Sequence, residues 1–444
     1  MKIPVEPPDI LQIIKSDKFI NIISDEMSPT DNKGRYLHWD KIRHLKPPKS
    51  LTTEQWWAGI KFSRMNLYKG LPFKDKFRKN FRFCITDTMQ EDLHWLDKNT
   101  SDINSNAMPV ANTNMQRTYI IKSLIEEAIS SSQLEGASTT RNVAKEMIRE
   151  GRKPRDKSEQ MILNNYHAMQ FIRDFKDENL TPSVIYELHR ILTEKTLDNP
   201  AKAGVLRLEE DEICVTDITS SDILHKPPQA SDLQKRIDKL CEFANGASGS
   251  GFIHPAVRAI ILHFMLAYDH PFTDGNGRTA RALFYWSMIH QGYWLTEFIS
   301  ISRIIKLAPV QYAKAFLYTE TDDNDVTYFI IHQIEVIKKA VSDLHIYLEK
   351  RAKEIEYAQK SLHDTRLGKK LNFRQLALLR HALNHSRFIY KINEHQNSHG
   401  ISYETARKDL LQMSDELKLL NKLRDGRSFI FVSPSDLEER IKKH

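Results

Sequence analysis

Apolar residues recur at helical spacing through the middle of the chain. Between Gln116 and Gln133, Ile120, Leu124 and Ala128 form one stripe and Ile121, Ile125 and Ile129 a neighbouring one, which predicts a helix closed by Gly136. A second helix is expected over about 157–175. Thr181-Pro182, a cap residue followed by proline at the first helical position, starts a third that runs to about Glu194. The pattern changes over Gly204–Asp217, GVLRLEEDEICVTD, where β-branched alternation is broken by an acidic tip, and a small hairpin is expected there. Pro227-Pro228 leads into a helix at 231–244. His254-Pro255 opens the next, with Val257, Ile260, Ile261, Phe264 and Tyr268 on one face. From about 330 to 366 a charged helical run reads as a connector.

The two ends read differently. Up to about 110, helices are separated by loops bearing Pro4, Pro7, Pro8, Pro47, Pro48 and Pro72, with Trp56-Trp57 and the Phe81–Phe83 strip assigned to core. The polar stretch Asn99–Asn106 marks a boundary. Towards the other end, NFRQLALLRHAL suggests a first helix, and GISYETARKDLLQM suggests helix-turn-helix text with Ser402 as cap. KLLNKLRDGRSFIFV then gives a turn at Asp425-Gly426 and a short apolar strand. Leu371–Val432 thus resembles a winged helix. The expected organisation is a helical region 1–110, a central unit 111–330, a connecting helix 331–366 and a winged-helix-like module 367–444.

Composition narrows the class. With 444 residues, 40% hydrophobic, the chain is globular and long enough for two or three domains. Three scattered cysteines, Cys84, Cys214 and Cys241, argue against a disulfide framework or a thiolate metal site. The most hydrophobic stretch, Ala259–Tyr268, is short and carries His263, so it reads as a buried helix; neither a membrane partner nor a signal peptide is expected, and the compartment expected is the cytoplasm. The net charge of +7 is placed unevenly: from Lys369 to His444 there are 15 Lys/Arg against 9 Asp/Glu. That makes nucleic acid a candidate partner for this end alone.

The chemistry is concentrated in His270-Pro-Phe-Thr-Asp-Gly-Asn-Gly-Arg-Thr-Ala-Arg281. An apolar helix ends at a histidine, the side chain suited to proton transfer near neutral pH. Asp274 follows, then Gly275-Asn276-Gly277, a tight turn whose N–H groups could line an anion. Arg278 opens a helix from Thr279 to His290, and Arg281 falls on the same face. One imidazole, one acid, a nest of amides and two guanidiniums suit phosphoryl or nucleotidyl chemistry, which rests on positioning and charge stabilisation. No Lys-Ser/Thr follows the glycines, so this is not a P-loop.

HPFTDGNGRTAR resembles the Fic motif, HPFx(D/E)GNGRxxR, at every defining position. The YELHRIL helix, the AGVLR lead-in to a hairpin, the KPP turn and the HPAVRAIILHFMLAYDHPF helix are also Fic-like, over about 115–330. The resemblance implies a mainly α fold: a Fic-type helical core with a small β-hairpin flap, flanked by the N-terminal helical region and the winged helix-turn-helix. It implies a protein adenylyltransferase that moves AMP from ATP, with Mg²⁺, onto a Tyr, Thr or Ser hydroxyl of a target protein of unknown identity and of itself. His270 would be the general base, Phe272 the loop anchor and Asp274 the Mg²⁺ ligand. Gly275, Asn276 and Gly277 would form the anion hole, and Arg278 and Arg281 would neutralise the β/γ end. The kinase-like Doc branch has lysine at the second glycine of this loop, so Gly277 favours nucleotidyl transfer.

SSSQLEG, with Ser131 and Glu135 four apart on one helix face, matches the family's inhibitory pattern (S/T)xxxE(G/N). The resemblance implies that Glu135 captures Arg281 and so restrains the enzyme; in some relatives the same glutamate supports removal of AMP. The segment at 205–216 resembles the flap that pairs with an extended target. A rival of another class is a transcription regulator that binds DNA through the C-terminal module and senses nucleotide through its Fic domain. The resemblance leaves a homodimer open.

Overall fold

The computed structural model describes residues 2–14, 28–48, 51–101, 113–217, 222–247, 251–363, 367, 370–385, 387–425 and 428–442. After two short helical turns, Ile10–Ile14 and Trp39–Ile42, helix α1 spans Thr53–Met65. Strands β1 (Lys69–Lys74) and β2 (Asn80–Phe83) follow, then α2 (Asp87–Thr100). The central run is α3 (Thr113–Leu134), α4 (Arg141–Glu150), α5 (Lys157–Asp174) and α6 (Pro182–Thr193). Strands β3 (Val215–Thr216) and β4 (Ile223–His225) precede α7 (Leu233–Ala244), α8 (Pro255–Asp269), α9 (Asn276–His290), α10 (Ile301–Leu307), α11 (Pro309–Thr321) and α12 (Thr327–His363). The last part holds α13 (Phe373–Asn384), β5 (Ile389–Lys391), α14 (Ile392–His399), α15 (Tyr403–Leu411), β6 (Asn421–Asp425), β7 (Ser428–Val432) and α16 (Leu437–Lys442).

The chain is mainly helical, with its strands in three small antiparallel sheets. Among the described residues no helix is long and apolar enough to cross a membrane. At the centre lies α8. Its residues Ala256, Val257 and Ala259–Leu266 are all buried, so the helix is apolar all round, where the sequence suggested a single buried face. It packs on α9, which is buried from Arg278 to Ile289. The expected caps are present: Thr181 Oγ1 accepts from Val184 N at 3.4 Å, and Gly136 closes α3 with φ +93°.

Three expectations need correction. The N-terminal region, expected to be helical, contains the β1–β2 hairpin, which buries Leu71, Phe73, Phe81 and Phe83 in the same core as α8. The hairpin expected within 205–216 is displaced. The acidic tip Glu209–Asp211 winds into a 3₁₀ turn, tied by Asp211 Oδ2 accepting from Leu208 N at 2.7 Å, and the pairing is Val215–Thr216 with Ile223–His225. Thirdly, α12 is more than a connector. Phe329, Ile330, Ile334, Ile337, Val341 and Leu348 line the main core.

The C-terminal residues form their own apolar cluster, built on Leu379, Ala406, Leu410, Met413, Leu419 and Phe431. Its order is helix, strand, helix, helix, strand, strand, helix, with β7 central in a three-stranded sheet. Ser402 caps α15, accepting from Thr405 N at 3.1 Å. Strands β6 and β7 pair up to Asp425 and Ser428, and the expected turn at Asp425-Gly426 falls on Gly426 and Arg427, which lie outside the described residues. Asp409 accepts from Arg374, Asn372 and His395. Burial opposes its charge, but these three partners hold its carboxyl well below the ordinary range.

A buried polar cluster clamps the N-terminal part to the turn between α11 and α12. Lys61 Nζ lies 2.8 Å from Asp322, Arg64 donates to the Tyr328 hydroxyl at 2.8 Å, and Tyr36 and Tyr68 both donate to Asp325. Both cations are essentially unexposed, so Asp322 is the anion that allows them to be there. Asp322→Ala should therefore destabilise the chain by about 3–5 kcal/mol, measured as a shift of the urea unfolding midpoint.

Candidate active site

Helix α8 ends where the sequence changes from apolar to HPFTDGNG. His270 N still donates to Leu266 O at 3.0 Å, but the residue itself turns left-handed, with φ 45°. The reversal drives Phe272 inward, fully buried and stacked on the His189 ring at 3.7 Å. The loop then closes on itself. Asn276 Oδ1 accepts from Phe272 N at 2.9 Å and Asn276 Nδ2 donates to Phe272 O at 2.8 Å. The Asn276 side chain is thus a latch for the loop.

Gly275 is the one residue of the expected glycine turn that stays outside helix α9. Its φ is +79°, and a Cβ there would meet Thr193 Cγ2 at 2.8 Å, so both conformation and space demand glycine. Helix α9 begins at Asn276, three residues earlier than expected. The N–H groups of Asn276, Gly277 and Arg278 are its first-turn donors, and none has a hydrogen-bond acceptor among the described residues. They stand at the positive end of the helix, which suits an anion.

An anion is already there. A Cβ on Gly277 would fall 2.1 Å from Glu135 Oε1 and 3.0 Å from Arg281 Nη1, so the Glu135 carboxylate rests directly on the Gly277 backbone. Arg281 Nη2 donates to Glu135 Oε1 at 2.8 Å and to Ser131 O at 3.0 Å, while its Nε donates to Ser131 Oγ at 2.9 Å. Burial disfavours the Arg281 charge, but Glu135, Tyr312 and Glu127 together more than offset this and the pKa is raised. Helix α3 brings Ser131 and Glu135 together on one turn, as their spacing predicts.

Arg278 behaves otherwise. Expected to share the task of Arg281, it turns to α6, where Nη1 donates to Leu192 O at 2.7 Å. Its Nη2 lies 3.7 Å from Asp274, and Nε and Nη2 have no hydrogen-bond partner among the described residues. Burial lowers its pKa. The two guanidiniums are thus held by different helices. Asp274 keeps 53% of its side chain exposed, with Oδ1 accepting from Gly275 N at 2.5 Å. An open carboxylate next to a site for phosphate oxygens fits a Mg²⁺ ion, which takes one or two carboxylates and fills its shell with phosphate and water.

The His270 imidazole is neutral near pH 7. Its Nδ1 lies 3.3 Å from Ala267 O, which can only accept, so in that contact Nδ1 carries the proton and Nε2 keeps its lone pair. Burial is the main force that lowers its pKa, to about 4; His225 and Arg207 act in the same direction, and the Ala267 carbonyl and Glu135 oppose it.

Sequence reasoning missed two supporting residues. His189, on α6, accepts from Gly204 N at 2.9 Å through Nδ1 and donates to Asp274 O at 2.8 Å through Nε2. Burial keeps its ring neutral, with a pKa near 4. It therefore ties motif loop, α6 and the following turn together, and the only hint was its place in YELHRIL. Glu127, buried on α3, accepts from Tyr285 Oη, Ser300 Oγ and Ser302 N, pinning α3 to α9 and α10. A glutamate within an isoleucine-rich helix was the available signal. A cleft of about 720 Å³ between α3, α4, α5 and α14, floored by Ile121 and Ile125, shares no residue with the site.

The neutral ring gives a direct test. Nuclear magnetic resonance of the full chain should show the His270 ring titrating near pH 4, so that the free base predominates from about pH 5 upward. A midpoint near the ordinary 6.5 would contradict the burial argument.

Comparison with known proteins agrees with this geometry. Residues 179–288 match the Fic/DOC family. "Protein adenylyltransferase Fic" of Nematostella vectensis is 33% identical over 118 residues, 27% of this chain and 25% of that protein. "Protein adenylyltransferase fic-1" of Caenorhabditis elegans is 27% identical over 185 residues, 40% of this chain and 33% of that protein. The chain therefore spans a quarter to a third of the length of these curated relatives. Among solved structures, a Fic family protein from Desulfovibrio desulfuricans superposes with TM-score 0.48 at 17% identity, covering 81% of this chain and 98% of its own. Fic-1 from C. elegans gives 0.46 at 18%, covering 59% and 71%. The helices that carry His189, His270, the glycine turn and Arg281 thus lie within the stretch that matches the Fic/DOC family.

Proposed function

We propose that the chain is a protein adenylyltransferase that moves AMP from ATP onto a Tyr, Thr or Ser hydroxyl of a target protein and of itself, restrained by Glu135. The observation that carries this reading is the seating of the Glu135 carboxylate on Gly277 and Arg281, beside a neutral imidazole. A carboxylate bonded to a guanidinium and lying against the first turn of α9 occupies a place built for phosphate oxygens. The names of the matched relatives supply the group transferred.

In this mechanism the free Nε2 of His270 removes the proton of the target hydroxyl. The hydroxyl oxygen forms a bond to the α-phosphorus as the bond to the β-phosphate bridging oxygen breaks, and pyrophosphate leaves. Arg281 and the amides of Asn276, Gly277 and Arg278 take up the phosphate charge, largely by prior orientation. Asp274 would hold Mg²⁺, which when bound neutralises charge on the phosphates. Phe272, Asn276 and His189 keep the loop in shape.

The restraint follows from competition. Glu135 and a phosphate cannot both rest on Gly277 and Arg281, so ATP in its productive pose requires the carboxylate to leave. Ser131 contributes a second hold on the same guanidinium. The C-terminal module is assigned to protein contact in preference to DNA: Arg374, Arg407, Lys422 and Arg440 are paired with Asp409, Glu404, Asp415 and Asp436. Unpaired surface cations are what a phosphate backbone needs.

Glu135→Gly should raise self-labelling from labelled ATP by about 10- to 100-fold, the worth of a hydrogen bond to a charged group. Adding His270→Ala should abolish the signal. Ser131→Ala, which removes the Nε contact and leaves the carboxylate, should fall between wild type and Glu135→Gly. Equal labelling by wild type and Glu135→Gly would end the restraint account.

A further inference from the structure

The last carbonyls of a helix have no partner within it, and at the end of α8 these belong to the residues that carry the base. Two side chains from the segment between α6 and α7 satisfy them. His225, the last residue of β4, has Nε2 2.7 Å from Tyr268 O. Arg207 donates from Nε to His270 O at 2.8 Å and from Nη2 to Asp269 O at 3.5 Å, and its own N–H donates to Pro271 O at 2.9 Å. Nη2 of Arg207 also reaches Pro228 O at 2.5 Å, so it bridges both ends of the flap segment to the helix terminus.

The second nitrogen of His225 settles what kind of strut it is. Nδ1 lies 2.9 Å from the carboxylate of Glu320 on α11. Both ring nitrogens therefore face oxygens that accept. The ring is thus gripped from both sides at the end of α8. Only 8% of the His225 side chain is exposed, so water does not substitute for either bond. The neighbouring Asp269 is engaged by Arg236 at 2.5 Å and does not compete for His225.

We propose that His225 is a positioning residue for His270: as a strut between Glu320 and Tyr268 O, it fixes the end of α8 and couples strand β4 of the flap to the catalytic base. This rests on the adenylyltransferase reading for its kinetic consequence, though not for its structural content. Arg207 is the second strut of the same joint. Because both attach to backbone carbonyls within two residues of His270, a displacement of β4 is transmitted to the imidazole without passing through the phosphate cradle. A target segment that pairs with the flap thereby sets the base as it docks.

The test uses the full chain carrying Glu135→Gly. His225→Phe keeps a ring and removes both bonds. It should lower kcat for labelling by about 10- to 100-fold, the cost of misplacing a catalytic group by about 1 Å, with KM for ATP within about two-fold. Glu320→Gln, which keeps an acceptor and removes the charge, should recover most of the rate. The His270 titration is read in parallel: loss of the His225 ring, which acts to lower the His270 pKa, should move the His270 midpoint upward from about 4, with Glu135, Arg207 and the Ala267 carbonyl as the other groups facing that ring. An unchanged kcat or an unchanged His270 midpoint would overturn the proposal. If the Glu135→Gly parent itself fails to label, the adenylyltransferase reading falls, and the His270 midpoint alone decides the strut. Should His225→Phe not fold, Glu320→Ala takes its place and is expected to give the same two changes.

Discussion

Arg281 sits in the interior with 2% of its side chain exposed, and a guanidinium in that position needs anionic or carbonyl partners wherever the chain places it. Ser131 on α3 and Glu135 just after it supply three of them: a hydroxyl and a carbonyl from Ser131 and a carboxylate from Glu135. The charge cannot be withdrawn to solvent, so the site is never empty of negative potential. What varies is whose oxygen provides it. In the function proposed for the chain, a phosphate of ATP and the Glu135 carboxylate are alternative answers to one electrostatic demand, and activity depends on which of them is present.

The rest of the site is arranged so that this exchange can occur without the loop collapsing. Phe272 is fully buried against His189, Asn276 bonds both backbone groups of Phe272, and His189 holds the Asp274 carbonyl. None of these contacts involves Arg281 or Glu135. The loop is therefore shaped by its own latch, and the first-turn amides of α9 keep their direction whatever anion they meet. Helix α3 is likewise fixed at a point away from Glu135, because Glu127 is bonded to Tyr285, Ser300 and Ser302. Release of Glu135 thus calls for rotation of one side chain or fraying of the last turn of α3, and the helix as a whole stays anchored.

Most of the helices and most of the site were legible in the sequence, because both are local. Apolar periodicity located α3 and α8, the Thr181-Pro182 start located α6, and Thr181 and Ser402 cap as their residue types imply. The four-residue spacing of Ser131 and Glu135 placed them on one turn. What escaped was non-local or competed with a stronger local pattern. The bonds of His189 and Glu127 join residues far apart in the chain, and no spacing encodes them. Leu71 with Phe73 and Phe81 with Phe83 do alternate at strand period, yet Pro72 and the helical text around them hid the hairpin. The flap pairing was misplaced because the acidic tip forms its own turn, with Asp211 closing on Leu208 N, and that shifts the strands by several residues. Helix α14 went unread because its sequence, INEHQNSH, buries only Ile392 and His395.

The claim that one guanidinium is contested by two anions is tested most directly by a double-mutant cycle in Mg-ATP binding, measured calorimetrically on wild type, Glu135→Ala, Arg281→Ala and the double variant. The account requires Glu135→Ala to tighten ATP binding when Arg281 is present and to lose most of that gain when Arg281 is absent, a coupling well above the roughly 0.5 kcal/mol expected of independent sites. An equal gain in both backgrounds would show that Glu135 acts elsewhere and would contradict the account.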